Sequence, residues 1–280
     1  MRAWLDVTAG MAGDMLMGAL VDAGAELAGV RAAIRAVVGE QVEVSRERVL
    51  RAGVPATKMH VDIQASGRTS YAWPELRDRV ASAPLAPPTR ELALATMQTL
   101  ADGYMRGHGL APDQVALHGV AALDVLADVV GDCEGLRLLG VTGVSASPVA
   151  LGSGRIRTSH GDLPVPVPAV AVLADGWPVC APAAGEDTAD AAAPHAFAGA
   201  TRCVPVGGVS DDTGVITEGP APVVDGAGEL ATPTGMALLR TLAGECLAEP
   251  PFEPRVEGMG AGGRDVPGRP NVVRVLLGGR

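Results

Sequence analysis

The sequence predicts an α/β protein, with a mixed α+β arrangement as the alternative. Three observations carry that expectation. The chain opens with a strand-like run, Ala3 to Val7, that passes through a glycine-containing loop into a helical pattern from Asp14 to Ala23. Strand-like and helical runs then recur with tight glycine turns between them. The 280 residues are 48% hydrophobic and 19% charged, a globular composition in a chain long enough to bury a full core as one or two domains.

Residues 26–38 repeat apolar positions at helical spacing and predict a second helix. Residues 41–49 and 56–64 alternate as strands, joined by a turn around Arg51 to Pro55. After a polar link at 65–72, a helix is expected from Pro74 to Val80, and the Pro84–Pro88 cluster ends it. Thr89 then starts a long helix with Leu94, Met97, Leu100 and Tyr104 on one face. A further helix is expected from Val120 to Leu139, and a strand near 143–149. Pro164, Pro166 and Pro168 stop regular pairing, and Pro168 suits the first turn of a short helix ending near Gly176. Residues 180–227 are rich in Ala, Gly, Pro and Asp with little periodicity, which predicts a long surface insertion or flexible segment. Thr232 and Pro233 read as a cap and a first helical residue, opening a helix to about Ala243. Two strands, near 254–258 and 271–277, close the chain. There is no internal repeat, and two subdomains, about 1–110 and 111–280, are one way to divide it.

Composition excludes several function classes. A net charge of −10 argues against nucleic acid, whose backbone needs a basic face. No stretch of 18 apolar residues escapes a charge or a proline, so no membrane span is expected. Asp6 and Asp14 interrupt what would be a signal-peptide core, which makes the cytoplasm the expected compartment. The four cysteines include no C-x-x-C pair, against a zinc ribbon or redox dithiol. Of the 22 basic residues only Lys58 is a lysine. Where arginine replaces lysine wherever the swap is harmless, a surviving ammonium is either a compact donor in use or a chance remnant.

Five segments can carry chemistry. Asp6, Gly10, Gly13 and Asp14 form a strand–loop–helix start, where free N–H groups and the helix dipole favour an anionic ligand. The alternative there is Asp14 as an N-cap and glycines serving the turn. His118, Asp124 and Asp128 come next, the two aspartates one helical turn apart on an otherwise apolar helix, with Asp132 extending the row. Such a stripe is a metal site or a solvated edge. The third is His160, beside a glycine and a proline-rich run, which can act as a ligand or a base. Glu229, Thr232, Thr234 and Gly235 offer a second helix start for a phosphate or carboxylate, or a plain cap. The fifth, Gly258 to Gly263, matches G-x-G-x-x-G, but Val266-Pro267 cannot open the helix a dinucleotide site needs.

In chain order these segments resemble one family. Asp6-x-x-x-Gly10-x-x-Gly13-Asp14-Met15-x-x-Gly18-Ala19-Leu20 is similar to the start of the LarC nickel-insertion proteins, and the likeness continues through Gly53 to Lys58, His108-Gly109, His118 to Gly131, Leu151 to Pro168, Glu229 to Leu239 and Gly260 to Val275. The resemblance implies insertion of Ni2+ into a pyridinium mononucleotide bearing two thiocarboxylates, with CTP and Mg2+ or Mn2+ consumed alongside. For that chemistry the segments above supply His118, Asp124 and Asp128 as candidate nickel ligands, Lys58 and His160 as candidate catalytic groups, and Asp6, Gly10, Gly13, Asp14, Glu229, Thr232, Thr234 and Gly235 as candidates around the mononucleotide; these roles are read from the segments and not from the likeness. Family members extend into a C-terminal domain associated with CTP. A separate chain carrying that domain is therefore an expected partner, and a non-catalytic module that binds the metal or the precursor is the alternative function.

Overall fold

The computed structural model describes residues 1–40, 42–64, 70–158, 161–180, 223–265 and 268–279. Its first half comprises β1 (Arg2–Asp6), α1 (Gly13–Asp22), α2 (Leu27–Val38), β2 (Val42–Arg51), β3 (Val54–Ile63), β4 (Ser70–Ala72), α3 (Trp73–Ser82), α4 (Pro87–His108) and β5 (Ala116–His118). The second comprises α5 (Gly119–Leu138), β6 (Gly143–Ala146), β7 (Val149–Ala150), β8 (Gly152–Thr158), β9 (Gly161–Pro164), α6 (Pro168–Ala174), β10 (Val179–Cys180), β11 (Val223–Glu229), α7 (Pro233–Leu242), β12 (Ala243–Cys246), β13 (Pro254–Ala261) and β14 (Val272–Gly278). The fold is mixed α/β. Among the described residues no helix is long and apolar enough to cross a membrane.

One seven-stranded sheet organises the molecule, in the order β12-β6-β1-β14-β13-β3-β2. Strands β6, β1, β13, β3 and β12 run the same way, whereas β14 and β2 run against them. Strands from before residue 110 and after it alternate, so the two stretches share one sheet. A single main hydrophobic core runs from Leu5 and Leu16 through Leu100 and Leu126 to Leu238 and Val275.

Helix α1 lies directly on β13, and the glycine pattern is the reason. A Cβ at Gly258 would sit 2.1 Å from the Ala19 carbonyl oxygen, and one at Gly260 would sit 1.8 Å from that of Met15. The G-x-G spacing therefore serves helix–sheet contact rather than a dinucleotide, in line with the absence of a following helix. Asp22 ties the far end of α1 to the sheet by accepting from Thr57 Oγ1 at 2.8 Å and from the Met259 N–H at 3.0 Å. Between α4 and α5, the buried Glu134 accepts from Thr89 Oγ1 at 2.6 Å and pairs with Arg137 at 2.6 Å.

Several local expectations are corrected. The N-cap of α1 is Ala12, so Asp14 is the second helical residue. Helix α4 begins at Pro87, two residues before Thr89. Regular pairing does end at Pro164, but the paired stretch before it was not expected: β9 is antiparallel to β8, which in turn pairs with β11. Strand β11 occupies the end of the segment expected to be irregular, while residues 181–222 of that segment lie outside the described residues.

Candidate functional site

The shared carboxyl end of the parallel strands is where the chemistry-bearing residues meet. Strand β1 ends at Asp6, which accepts from the Thr8 N–H at 3.1 Å and from Thr8 Oγ1 at 2.6 Å and so closes the turn after the strand. Gly10 has φ +117, and a Cβ there would lie 2.2 Å from the Leu230 carbonyl oxygen. That close approach zips two distant loops together. Met11 N–H donates to Leu230 O at 2.9 Å, and Thr232 N–H donates to Met11 O at 2.9 Å. The N-terminal ends of α1 and α7 are thereby held side by side.

Thr232 caps α7: its hydroxyl accepts from the Gly235 N–H at 3.0 Å. Thr234 is buried, and a Cβ at Gly235 would sit 2.1 Å from Met11 O. At this helix start the named groups serve the cap and the packing of the two loops. Glu229 offers its main-chain carbonyl to the Arg264 guanidinium.

Across α1, Asp14 forms an ion pair with Lys58 Nζ, whose side chain is only 13% exposed. Lys58 stands opposite Ala261 in the parallel β3–β13 register, at the end of β13. The chain's one lysine thus links the first turn of α1 to the loop that follows β13.

The α5 row descends from this end into the core. Asp128 lies against the first turn of α1, since a Cβ at Gly13 would fall 2.5 Å from its Oδ2. A carboxylate there faces the positive end of the helix dipole. Burial, and then the charge of Asp14, lift the Asp124 carboxyl from the ordinary 3.8 to about 6. Asp132 is fully buried with neither carboxyl oxygen hydrogen-bonded. Burial pushes its carboxyl well above the ordinary value, and the charges of Asp128 and Asp14 push the same way.

Among the described residues, no three His, Cys, Asp or Glu side chains stand close enough to hold a metal ion. The main chain of His118 pairs with Ser70 in the β4–β5 ladder, immediately before α5. His160 lies outside the described residues. The structure therefore brings Asp14, Lys58 and the α5 aspartates together beside the two helix starts.

The residues that sequence reasoning did not single out lie after β13. Gly262 N–H donates to Asn271 O at 2.9 Å, and Asn271 Nδ2 donates to Arg264 O at 2.9 Å. Arg51 donates to Gly262 O from both Nε and Nη2, each at 3.1 Å. These bonds fix the start of a loop that passes Lys58 at Gly263 and carries Arg264. A run of glycines ending in arginine, just past a strand, was the available signal. The arrangement has an acidic half on α1 and α5 and a basic half after β13, divided by the Lys58–Asp14 pair.

The family model described as "Nickel insertion protein" matches residues 3–280. The chain is 40% identical over 276 residues to the pyridinium-3,5-bisthiocarboxylic acid mononucleotide nickel insertion protein of Nocardioides sp., covering 99% of this chain and 59% of that one. It is 36% identical to a protein of Thermomicrobium roseum also named for nickel insertion, covering 99% and 57%, and 32% identical to one of Citrifermentans bemidjiense, covering 99% and 61%. It thus spans a little under two thirds of the length of these relatives. No solved structure matches it.

Proposed function

Because the chain belongs to the nickel insertion protein family, we propose that it places Ni2+ into pyridinium-3,5-bisthiocarboxylic acid mononucleotide, a step of nickel-pincer cofactor biosynthesis. The observation that carries this reading is the two-signed site: Asp14 on α1, close to the α5 aspartates, pairs with Lys58 at the end of β13, and Arg264 follows that strand. Insertion needs such a site. A divalent cation and an anionic mononucleotide must be held side by side, and the ring C–H proton must leave as the metal–carbon bond forms.

In this reading Asp124 and Asp128, with His118, present nickel as a substrate; oxygen and imidazole donors suit that ion. Lys58 holds an anionic group of the mononucleotide, and His160 accepts the ring proton. Asp6, Gly10, Gly13 and Asp14 at the start of α1, and Glu229, Thr232, Thr234 and Gly235 at the start of α7, are in this reading the two loops around the mononucleotide. In this reading CTP and its Mg2+ or Mn2+ are held by the C-terminal domain that family members carry.

A second reading is a module that binds the metal or the precursor and acts with a separate chain. Equilibrium dialysis of the purified chain against nickel, with and without the mononucleotide, tests the site itself. Nickel retention that rises with the mononucleotide and falls in Asp124→Asn/Asp128→Asn supports it. Retention unchanged by the double substitution removes the α5 row from the account.

A further inference from the structure

We propose that Lys58, Gly263 and Arg264 form an anion subsite at the end of β13 that takes the phosphate of a mononucleotide. The choice of a mononucleotide rests on the function proposed above; anion binding at this loop does not. Three observations carry it.

The first is the space at Gly263. This residue is exposed and its backbone is not in the left-handed region. Among the described residues, a Cβ built on it meets nothing within 4 Å except Lys58 Nζ, at 3.9 Å. Neither a turn nor a packing contact requires glycine there, unlike Gly258 and Gly260. What glycine leaves is open room beside the chain's one ammonium, with main chain free to approach a ligand closely.

The second is rigidity. The loop is pinned on both sides of that space: Gly262 is held through its N–H by Asn271 and through its carbonyl by Arg51, and Arg264 is held through its carbonyl by Asn271. Asn271 is buried. A loop fixed by a buried side chain and a two-pronged arginine presents a preformed surface, which lowers the ordering cost of binding.

The third is charge. In a chain of net charge −10, Lys58, Arg51, Arg264 and Arg269 gather around one loop. Arg269 Nε is buried without a hydrogen-bond partner, a donor that an oxyanion at the loop could satisfy. Asp14 neutralises part of Lys58, but an ammonium has three donors and can serve Asp14 and an oxyanion together. Arg264 anchors one donor on Glu229 O and carries a fork that matches phosphate geometry.

The test is calorimetric titration of the purified chain with nicotinic acid mononucleotide, nicotinic acid riboside and inorganic phosphate. The variants are Gly263→Val, Lys58→Gln and Arg264→Gln. The mononucleotide is expected to bind, with phosphate competing and the riboside at least tenfold weaker. Each variant should lose at least tenfold, and Gly263→Val should melt within a few degrees of wild type because its side chain meets only the lysine tip. Phosphate that binds as tightly as the mononucleotide identifies a free-phosphate site of the same chemistry. No saturable binding, riboside binding as tight as the mononucleotide, or a Gly263→Val variant that binds like wild type overturns the subsite. Anion binding lost in the variants but no nickel insertion by wild type would remove the proposed function and leave the subsite standing.

Discussion

Replacing Asp124 with asparagine removes a carboxyl that the fold holds in its protonated form more strongly than the unfolded chain does. Burial and the charge of Asp14 raise it from 3.8 to about 6. At about 1.4 kcal/mol per pKa unit, that difference disfavours the ionised folded form by about 3 kcal/mol. The side chain is partly solvated, so about half of that is expected to survive screening. The sign follows from proton counting. Between the unfolded and folded values the native state binds more protons, so this group's contribution is present at acid pH and lost as pH rises through about 6. Asparagine does not titrate. Relative to wild type, Asp124→Asn should therefore gain about 0.5–1 kcal/mol of stability on going from pH 5 to pH 8. Urea unfolding of both proteins at the two pH values measures this as a change in the difference between their midpoints. A difference that is constant with pH, or that shrinks toward pH 8, would refute the placement of Asp124 in a buried acidic surrounding.

Other substitutions probe the frame. Gly260→Ala forces a methyl into the Met15 carbonyl and should destabilise by about 2–3 kcal/mol in urea unfolding; a cost under about 0.5 kcal/mol would mean α1 does not rest on β13. Thr89→Val deletes the hydroxyl that donates to the buried Glu134 and should lose about 1–2 kcal/mol, read from the thermal midpoint. Asp132→Leu replaces an unpartnered buried acid with an apolar side chain of similar size. It should leave stability unchanged or raise it by about 1–2 kcal/mol, and a large loss of stability would show that the carboxyl has partners after all.

The sequence was most legible where local signals agree with the fold. Ala3 to Val7 and Asp14 to Ala23 fall within a residue or two of β1 and α1, and Thr232-Pro233 marks the start of α7. It was least legible where strands are built from residues that usually break them. Strand β8 contains Gly152 and Gly154, β11 contains Gly226 and Gly228 and pairs through shifted register, and β9 ends on a proline, so none shows the period of two. Strand β12, only four residues directly after α7, looked like the end of its helix.

The same distinction holds at the site. The spacing of Asp124, Asp128 and Asp132 on one helix face could be read locally. The Lys58–Asp14 pair, the Arg264 anchor on Glu229 and the Arg51 clamp on Gly262 span 44, 35 and 211 residues of sequence, and only the sheet register makes them neighbours. Lys58 attracted notice by composition alone; its partner did not. Gly258 and Gly260 show the converse, a motif visible in sequence whose cause is the approach of a helix.

Mass spectrometry of a reaction containing the purified chain, pyridinium-3,5-bisthiocarboxylic acid mononucleotide, nickel, CTP and magnesium tests the central claim most directly. The account predicts a nickel-containing product that has lost the ring proton, formed by wild type and reduced at least tenfold in Lys58→Gln and in Asp124→Asn/Asp128→Asn. Product formed equally by wild type and both variants would contradict it, because insertion would then proceed without the two-signed site.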